Sequence, residues 1–224
     1  MDQLLGYLQL WLLPKPQNPD EIRICVDMRL RNEAVLRERH ITQAIDHVIV
    51  DLNSATMFSK LDLNSSYHQL ELDEKSRNMT TFSTHIGLRR YKRLIFRISP
   101  AAEIFQNALC TALEGLKGKR NISHDILVFS RTQEEHAKNL ESTFTHIKQK
   151  GLTLNKHKCE FNKDKIEFFG YIFSKDVISP DPKKVEAIKS ASIPSNISQG
   201  RSFLGMTNYV GRFSPNYATI SEPL

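Results

Sequence analysis

Cysteine is scarce in this chain: three in 224 residues, at Cys25, Cys110 and Cys159, with no CxxC pair and no histidine at zinc-site spacing. That excludes a disulfide-stapled secreted scaffold and a structural zinc module. It leaves three small core residues in a protein kept reduced, cytoplasmic or nuclear rather than secreted. Long apolar runs are missing too. The N-terminal stretch MDQLLGYLQLWLLPKP is too short to span a bilayer and has neither a basic leader nor a small-residue cleavage site. It reads as a strand or docking segment, and no membrane partner is expected. Glycine-rich linkers, low-complexity tracts and internal repeats are absent as well. The sequons at Asn64, Asn78, Asn121 and Asn196 are then chance matches. An acidic excess is lacking: 31 Lys plus Arg face 25 Asp plus Glu, a net charge of +6 that suits a polyanionic partner.

What is present is an apolar content of 40%, enough for one sizeable core or two closely joined lobes. Alternation marks strands at 21–27, with Arg23 and Cys25 on one face, and at 67–72; 57–63 reads as another, and the apolar run Ile126–Phe129 marks a buried strand at 125–129. Residues 79–96 read as a basic hairpin turning near Gly87. The stretch SPAAEIFQNALCTALEGLKG (99–118) is the clearest helix, with Ser99 as cap, Pro100 at its first position, and Ile104, Phe105, Ala108, Leu109, Ala112 and Leu113 on one stripe. A capping box at Thr132–Glu135 opens a second helix that Gly151 closes. Further strands are expected at LTLN (152–155) and 166–173, and helices at 180–191, capped by Asp181, and at 195–213. Strands, helix, strand, helix, strands, helices in that order fit an α+β fold better than regular βαβ winding.

Two carboxylates stand out. Asp62 ends one apolar strand, and Asp125 begins another in NISHDILVFS. A charge at the mouth of a buried strand is costly unless it is paired or holds a metal. If the two strands are neighbours, both carboxylates converge on one sheet edge, where hard oxygen ligands bind Mg²⁺. The alternative at this point is that each aspartate caps a strand or turn.

The stretches FSKLDLNSSYHQLEL, RYKRLIFRISPAAEIFQNAL, NISHDILVFSRTQEEH, GLTLNKHKCEF, IEFFGYIFS with ISPDPKKVEAI, and RSFLGMTNYVGRFSPNYATISEPL follow one another in a recognisable order. From about Lys15 to the end, the chain resembles the reverse transcriptase domain of a gypsy-type LTR-retrotransposon Pol polyprotein. The resemblance implies a right-hand polymerase. Residues 1–57 would be partial fingers and a lead-in to the palm, 58–69 the palm strand with the first aspartate, and 70–98 a fingers hairpin. Residues 99–176 would be palm, and 177–224 the start of a thumb or connection. It further implies template-dependent nucleotidyl transfer with Mg²⁺ (or Mn²⁺), an RNA or DNA template–primer duplex, dNTPs, and RNase H and integrase domains in a longer parent. By resemblance, Asp62 and Asp125 are catalytic metal ligands and Tyr67 lies under the incoming sugar. Arg23 grips the triphosphate, Gln106 helps to place template and nucleotide, and Lys158 stands near the leaving pyrophosphate.

The chain departs from that pattern where chemistry is concentrated. Relatives carry two adjacent aspartates where this chain has His124–Asp125. Imidazole suits zinc and other transition metals better than Mg²⁺, so His124, at a substituted aspartate position, is expected to weaken catalysis and to have no new role. Arg97 stands where relatives have glycine, and Ser66 replaces the glycine before Tyr67. With the upstream fingers strands, a complete thumb and the RNase H domain expected to be missing, a decayed or fragmentary copy is anticipated. The alternative is a non-catalytic nucleic-acid-binding remnant holding a duplex on the basic hairpin 87–93.

Overall fold

The computed structural model describes residues 8–15, 18–35, 45–52 and 54–222, with backbone only for residues 15, 18, 21, 23 and 45–47. The chain opens with an antiparallel hairpin of β1 (Leu10–Lys15) and β2 (Asn18–Val26), followed by short helices α1 (Arg29–Ala34) and α2 (Ile45–Asp51). β3 (Met57–Asp62) then enters the protein's centre. After it come α3 (Glu74–Met79), β4 (Phe82–Thr84), β5 (Gly87–Arg89) and the long helix α4 (Ala101–Ala112). The hairpin of β6 (Lys119–Ile122) and β7 (Asp125–Ser130) leads into α5 (Gln133–Gln149) and β8 (Glu160–Lys163). The remainder is a meander of β9 (Lys165–Phe168), β10 (Tyr171–Ser174) and β11 (Ile178–Pro180), then α6 (Pro182–Lys189), α7 (Ile197–Val210) and α8 (Tyr217–Ser221).

The organising element is an antiparallel sheet in the order β6–β7–β3–β8. Its period of two divides the strands cleanly. Leu61 and Leu63 of β3 and its extension, with Ile126 and Val128 of β7, pack against Ala101, Phe105 and Leu109 of α4, its C-cap Leu113, and Leu140 and Ile147 of α5. The opposite face carries Phe58 and Leu127, covered by Val48 of α2, by Leu52 just after it, and by Ile166, Phe168, Tyr171 and Phe173 of the β9–β10 hairpin. Asp62 and Asp125 are in phase with Phe58 and Leu127 and so share this second face, away from α4 and α5.

Behind the sheet lies a buried polar latch. Ser59 Oγ accepts the Asn162 N–H at 3.0 Å, which frees its own proton to donate to His136 Nε2 at 2.7 Å. His136 Nδ1–H then faces Ser130 Oγ at 3.4 Å, and that oxygen also accepts Asn139 Nδ2 at 2.9 Å. The imidazole is fully buried, and burial holds it below its ordinary pKa of 6.5.

Several elements differ from the sequence reading. Residues 67–72 are not a strand: Ser65 adopts a left-handed conformation (φ 47°), and Ser66–Gln69 coil into a 3₁₀ turn closed by Leu70 N–H donating to the Tyr67 carbonyl. The apparent alternation arises because Tyr67, Leu70 and Leu72 all reach the α4-side core. LTLN supplies a single bridge, Leu63 to Leu154, because Asn155 immediately caps another 3₁₀ turn at Lys156–Lys158. The hairpin at 79–96 shrinks to three residues per strand, with Met79 belonging to α3. Ser99 does not cap α4. Pro100 occupies the cap position without a side-chain bond, and the Ser99 N–H donates to Asn32 Oδ1 at 2.9 Å. Helices α5 and α6 start at the expected caps, Thr132 and Asp181, and α7 is capped by Asn196.

Candidate active site

β3 and β7 pair antiparallel through six registered positions, from Met57 with Ser130 to Asp62 with Asp125. Directly opposed residues on antiparallel strands project to the same side. The two carboxylates therefore meet at one end of the ladder. The turn between β6 and β7 adds the third group: His124 Nε2 stands 3.9 Å from Asp62 Oδ2. One ligand atom from each of Asp62, His124 and Asp125 lies within 4.8 Å of the others.

Burial differs sharply across this trio. The Asp62 side chain is 11% exposed, while that of His124 is 48% exposed. Burial raises the Asp125 carboxyl above the usual range, and the neighbouring Asp62 charge pushes the same way; His124, Lys60 and Lys158 oppose them. Lys60, on the same face, is engaged by Glu160 at 2.9 Å. Burial likewise raises the thiol of Cys159, whose Sγ lies 4.0 Å from the Asp62 carbonyl oxygen.

The other expected site residues are placed as follows. Tyr67 follows Asp62 on the 3₁₀ turn, its ring edge-on to Phe105 at 5.4 Å between centroids. Lys158 is exposed on the turn before β8, close enough for its charge to act on Asp125. Gln106 is buried in α4 and spends its amide on the hairpin: Nε2 donates to the Asn121 carbonyl at 3.1 Å, and Oε1 accepts the Ser123 N–H at 2.7 Å. It therefore reaches the site through the turn that carries His124. The backbone of Arg23 pairs with Leu13 in the β1–β2 hairpin, and its side chain lies outside the described residues.

Sequence reasoning missed Gln69. Its Nε2 donates to the Asn64 and Thr153 carbonyls at 2.6 and 3.0 Å, and its Oε1 accepts the Thr153 N–H at 2.8 Å. This brace fixes the loop after α5 against the shoulder of Asp62. Only recognising the turn, in place of a strand, would have revealed it. The two glycine departures separate here. Ser66 has no positive φ and tolerates its side chain, whereas Arg97 sits at φ 74°, a left-handed conformation that favours glycine.

This architecture is similar to solved polymerases. The foamy viral protease-reverse transcriptase dRH in complex with ds DNA superposes with a TM-score of 0.86 at 21% identity, covering 97% of this chain and 38% of that one. The same viral protein in complex with RNA/DNA hybrid gives 0.76 at 20% identity, covering 97% and 29%. The fold is therefore that of a right-hand polymerase of the reverse transcriptase type. The chain belongs to the reverse transcriptase (RNA-dependent DNA polymerase) family, whose sequence model matches residues 13–173. Relatives include the Retrovirus-related Pol polyproteins from transposon 297 and transposon gypsy, both of Drosophila melanogaster. The first is 35% identical over 96% of this chain and 21% of its own length; the second is 32% identical over 92% and 20%. The chain thus spans about a fifth of the length of these relatives. Among the described residues, no helix is long and apolar enough to cross a membrane.

Proposed function

We propose that this chain is the fingers and palm portion of an RNA-directed DNA polymerase from a retrotransposon Pol polyprotein, impaired in its present form. The observation that carries the reading is the register match of Asp62 with Asp125 on the open end of the β3–β7 ladder, within a reverse transcriptase fold. In this reading, residues 1–57 and 70–98 serve as fingers, 58–69 and 99–176 as palm, and 177–224 lead toward a thumb. Asp62 and Asp125 are the catalytic carboxylates. Tyr67 lies beneath the sugar of an incoming dNTP, and Lys158 and Arg23 meet its phosphates, where a guanidinium fork suits phosphate oxygens. Gln106 is a positioning residue, because its bonds go to the hairpin. The partners are a template–primer duplex, dNTPs, and RNase H and integrase domains in a full-length parent.

The donor set fits poorly with the Mg²⁺ pair of such enzymes. Mg²⁺ demands near-octahedral oxygen coordination and sheds water reluctantly. Here two carboxylates and an imidazole stand where three carboxylates would face two cations. Each 1.36 kcal/mol of lost transition-state stabilisation is about tenfold in rate, and a lost ligand costs several such steps. The test is made in a His124→Asp background, scoring dNTP-dependent extension of an oligo(dT) primer on poly(rA). Adding Asp62→Asn or Asp125→Asn should abolish extension while leaving duplex binding intact. Extension that survives both substitutions overturns the assignment.

A second reading, duplex binding without chemistry, is favoured by His124 together with the exposed basic hairpin, on which Arg89 and Lys92 project to solvent. Arg90 and Arg93 of that segment are engaged with Glu74 and Glu71. Salt-dependent duplex binding with no incorporation by any variant would support it, and absence of binding would sink it.

A further inference from the structure

The Asp62 carboxyl is buried without a hydrogen-bond donor. It is 8% exposed, and no N–H or O–H donor among the described residues hydrogen-bonds its carboxyl oxygens; the nearest basic side-chain nitrogen is His124 Nε2 at 3.9 Å. A carboxylate so buried and unpaired is costly. It lies at the last registered pair of the β3–β7 ladder, where Asp125 stands opposite. His124 is not turned away to solvent as a bystander would be. Its Nδ1 lies 3.2 Å from Ser123 Oγ, a hydroxyl that can accept the Nδ1 proton and leave the Nε2 lone pair facing the two carboxylates. Metal-binding histidines are oriented in this way, by a hydrogen bond on the nitrogen away from the ion.

We propose that Asp62, His124 and Asp125 form a site for a single borderline divalent cation, Zn²⁺ above all, with His124 Nε2 as a ligand and an open position for water or a phosphate oxygen. Ligand atoms on Zn²⁺ sit about 2.0–2.2 Å from the ion, which places tetrahedral neighbours ~3.4 Å apart. The trio's atoms, within 4.8 Å of one another, are a small side-chain adjustment from that arrangement. Two oxygens and one nitrogen match the catalytic class of zinc site, which keeps three protein ligands and one vacancy. Nitrogen donation also ranks Zn²⁺ above Mn²⁺ and well above Mg²⁺. The substitution that weakens the site for one cation thus makes it selective for another. The inference rests on the reading of Asp62 and Asp125 as metal ligands.

The experiment is direct binding of ZnCl₂, MnCl₂ and MgCl₂ to the full chain and to His124→Ala and His124→Asp. Zn²⁺ is followed by competition with a chromogenic chelator, and Mn²⁺ and Mg²⁺ by electron paramagnetic resonance and its competition. His124 sits half-exposed on a turn, so both variants should fold, and metal-free unfolding midpoints verify it. The full chain should bind one Zn²⁺ that His124→Ala weakens about tenfold or more, while His124→Asp gains Mg²⁺ affinity at the expense of Zn²⁺. Zn²⁺ affinity untouched by His124→Ala overturns the proposal. If His124→Asp binds Mg²⁺ while the unaltered chain binds no Zn²⁺, this inference falls and the polymerase reading stands. If neither chain binds any of the three ions, both fall.

Discussion

His136 offers a test of how the central sheet is held in place. Its imidazole joins Ser59 on β3 to Ser130 on β7, behind the strands that carry Asp62 and Asp125. Replacing it by alanine removes two buried hydrogen bonds, about 1 kcal/mol each, and opens a cavity that adds about 1 kcal/mol more. Ser59 and Ser130 retain Asn162 and Asn139 as partners, which keeps the total near 3 kcal/mol at pH 7.5. Acidification provides the sharper signature. Well above pH 6.5 the imidazole is neutral in both the folded and the unfolded chain and adds no pH dependence. Below that, the unfolded chain takes up the proton while burial resists it in the folded chain, so stability is lost as the pH falls. From pH 7.5 to 5.5 this contributes at most about 1.4 kcal/mol, the limit reached if the folded imidazole stays neutral. His68, also held low by burial and then by Arg93, acts in the same direction, so the difference between chains isolates His136. Urea unfolding followed by circular dichroism at both pH values should show the gap between His136→Ala and the unaltered chain narrowing on acidification. A gap that is constant or widens, or a cost below 1 kcal/mol at pH 7.5, would refute the latch.

Three further substitutions probe the backbone around the site. Gly118→Ala should cost about 2 kcal/mol or more, measured as a fall in the urea midpoint, because Gly118 has φ 59° and an added Cβ would lie 2.7 Å from the Phe129 carbonyl oxygen and against the Asn139 amide. Arg97→Gly should stabilise the fold by about 0.5–1 kcal/mol, since relief of a left-handed conformation outweighs the entropy glycine adds to the unfolded chain; a lowered thermal midpoint would contradict this. Gln106→Ala should cost about 2 kcal/mol by stripping partners from the Asn121 carbonyl and the Ser123 N–H, with faster amide exchange at Ser123 as its local sign. Unchanged exchange there would show that the turn holds itself.

Much of the site was legible because strand periodicity and chain order carry it. Asp62 and Asp125 could be assigned to strand ends from the apolar runs beside them, and the period of two then dictates their shared face once the strands pair. What the sequence hid is local geometry set by tertiary contacts. The alternating segment after Asp62 mimics a strand, yet its apolar residues are held by α4, and Gln69 spends its side chain as a loop brace. Gln106 looked like a polar residue available to ligand. Its place on the buried face of α4, opposite the turn at Ser123, becomes apparent only when the β6–β7 hairpin is folded over it. Helices α1 to α3 are too short for periodicity to register. The environment of His124 depends on a 3.9 Å approach across two strands that no spacing rule encodes.

The central claim is that an otherwise sound polymerase palm is silenced at one position. The most direct measurement is extension of an oligo(dT) primer on poly(rA) in Mg²⁺, comparing the unaltered chain with His124→Asp at equal protein concentration. Restoring the third carboxylate should raise the extension rate by at least about 100-fold, two of the tenfold steps in transition-state energy. Equal rates in the two chains, whether both extend or both are silent, would contradict the account.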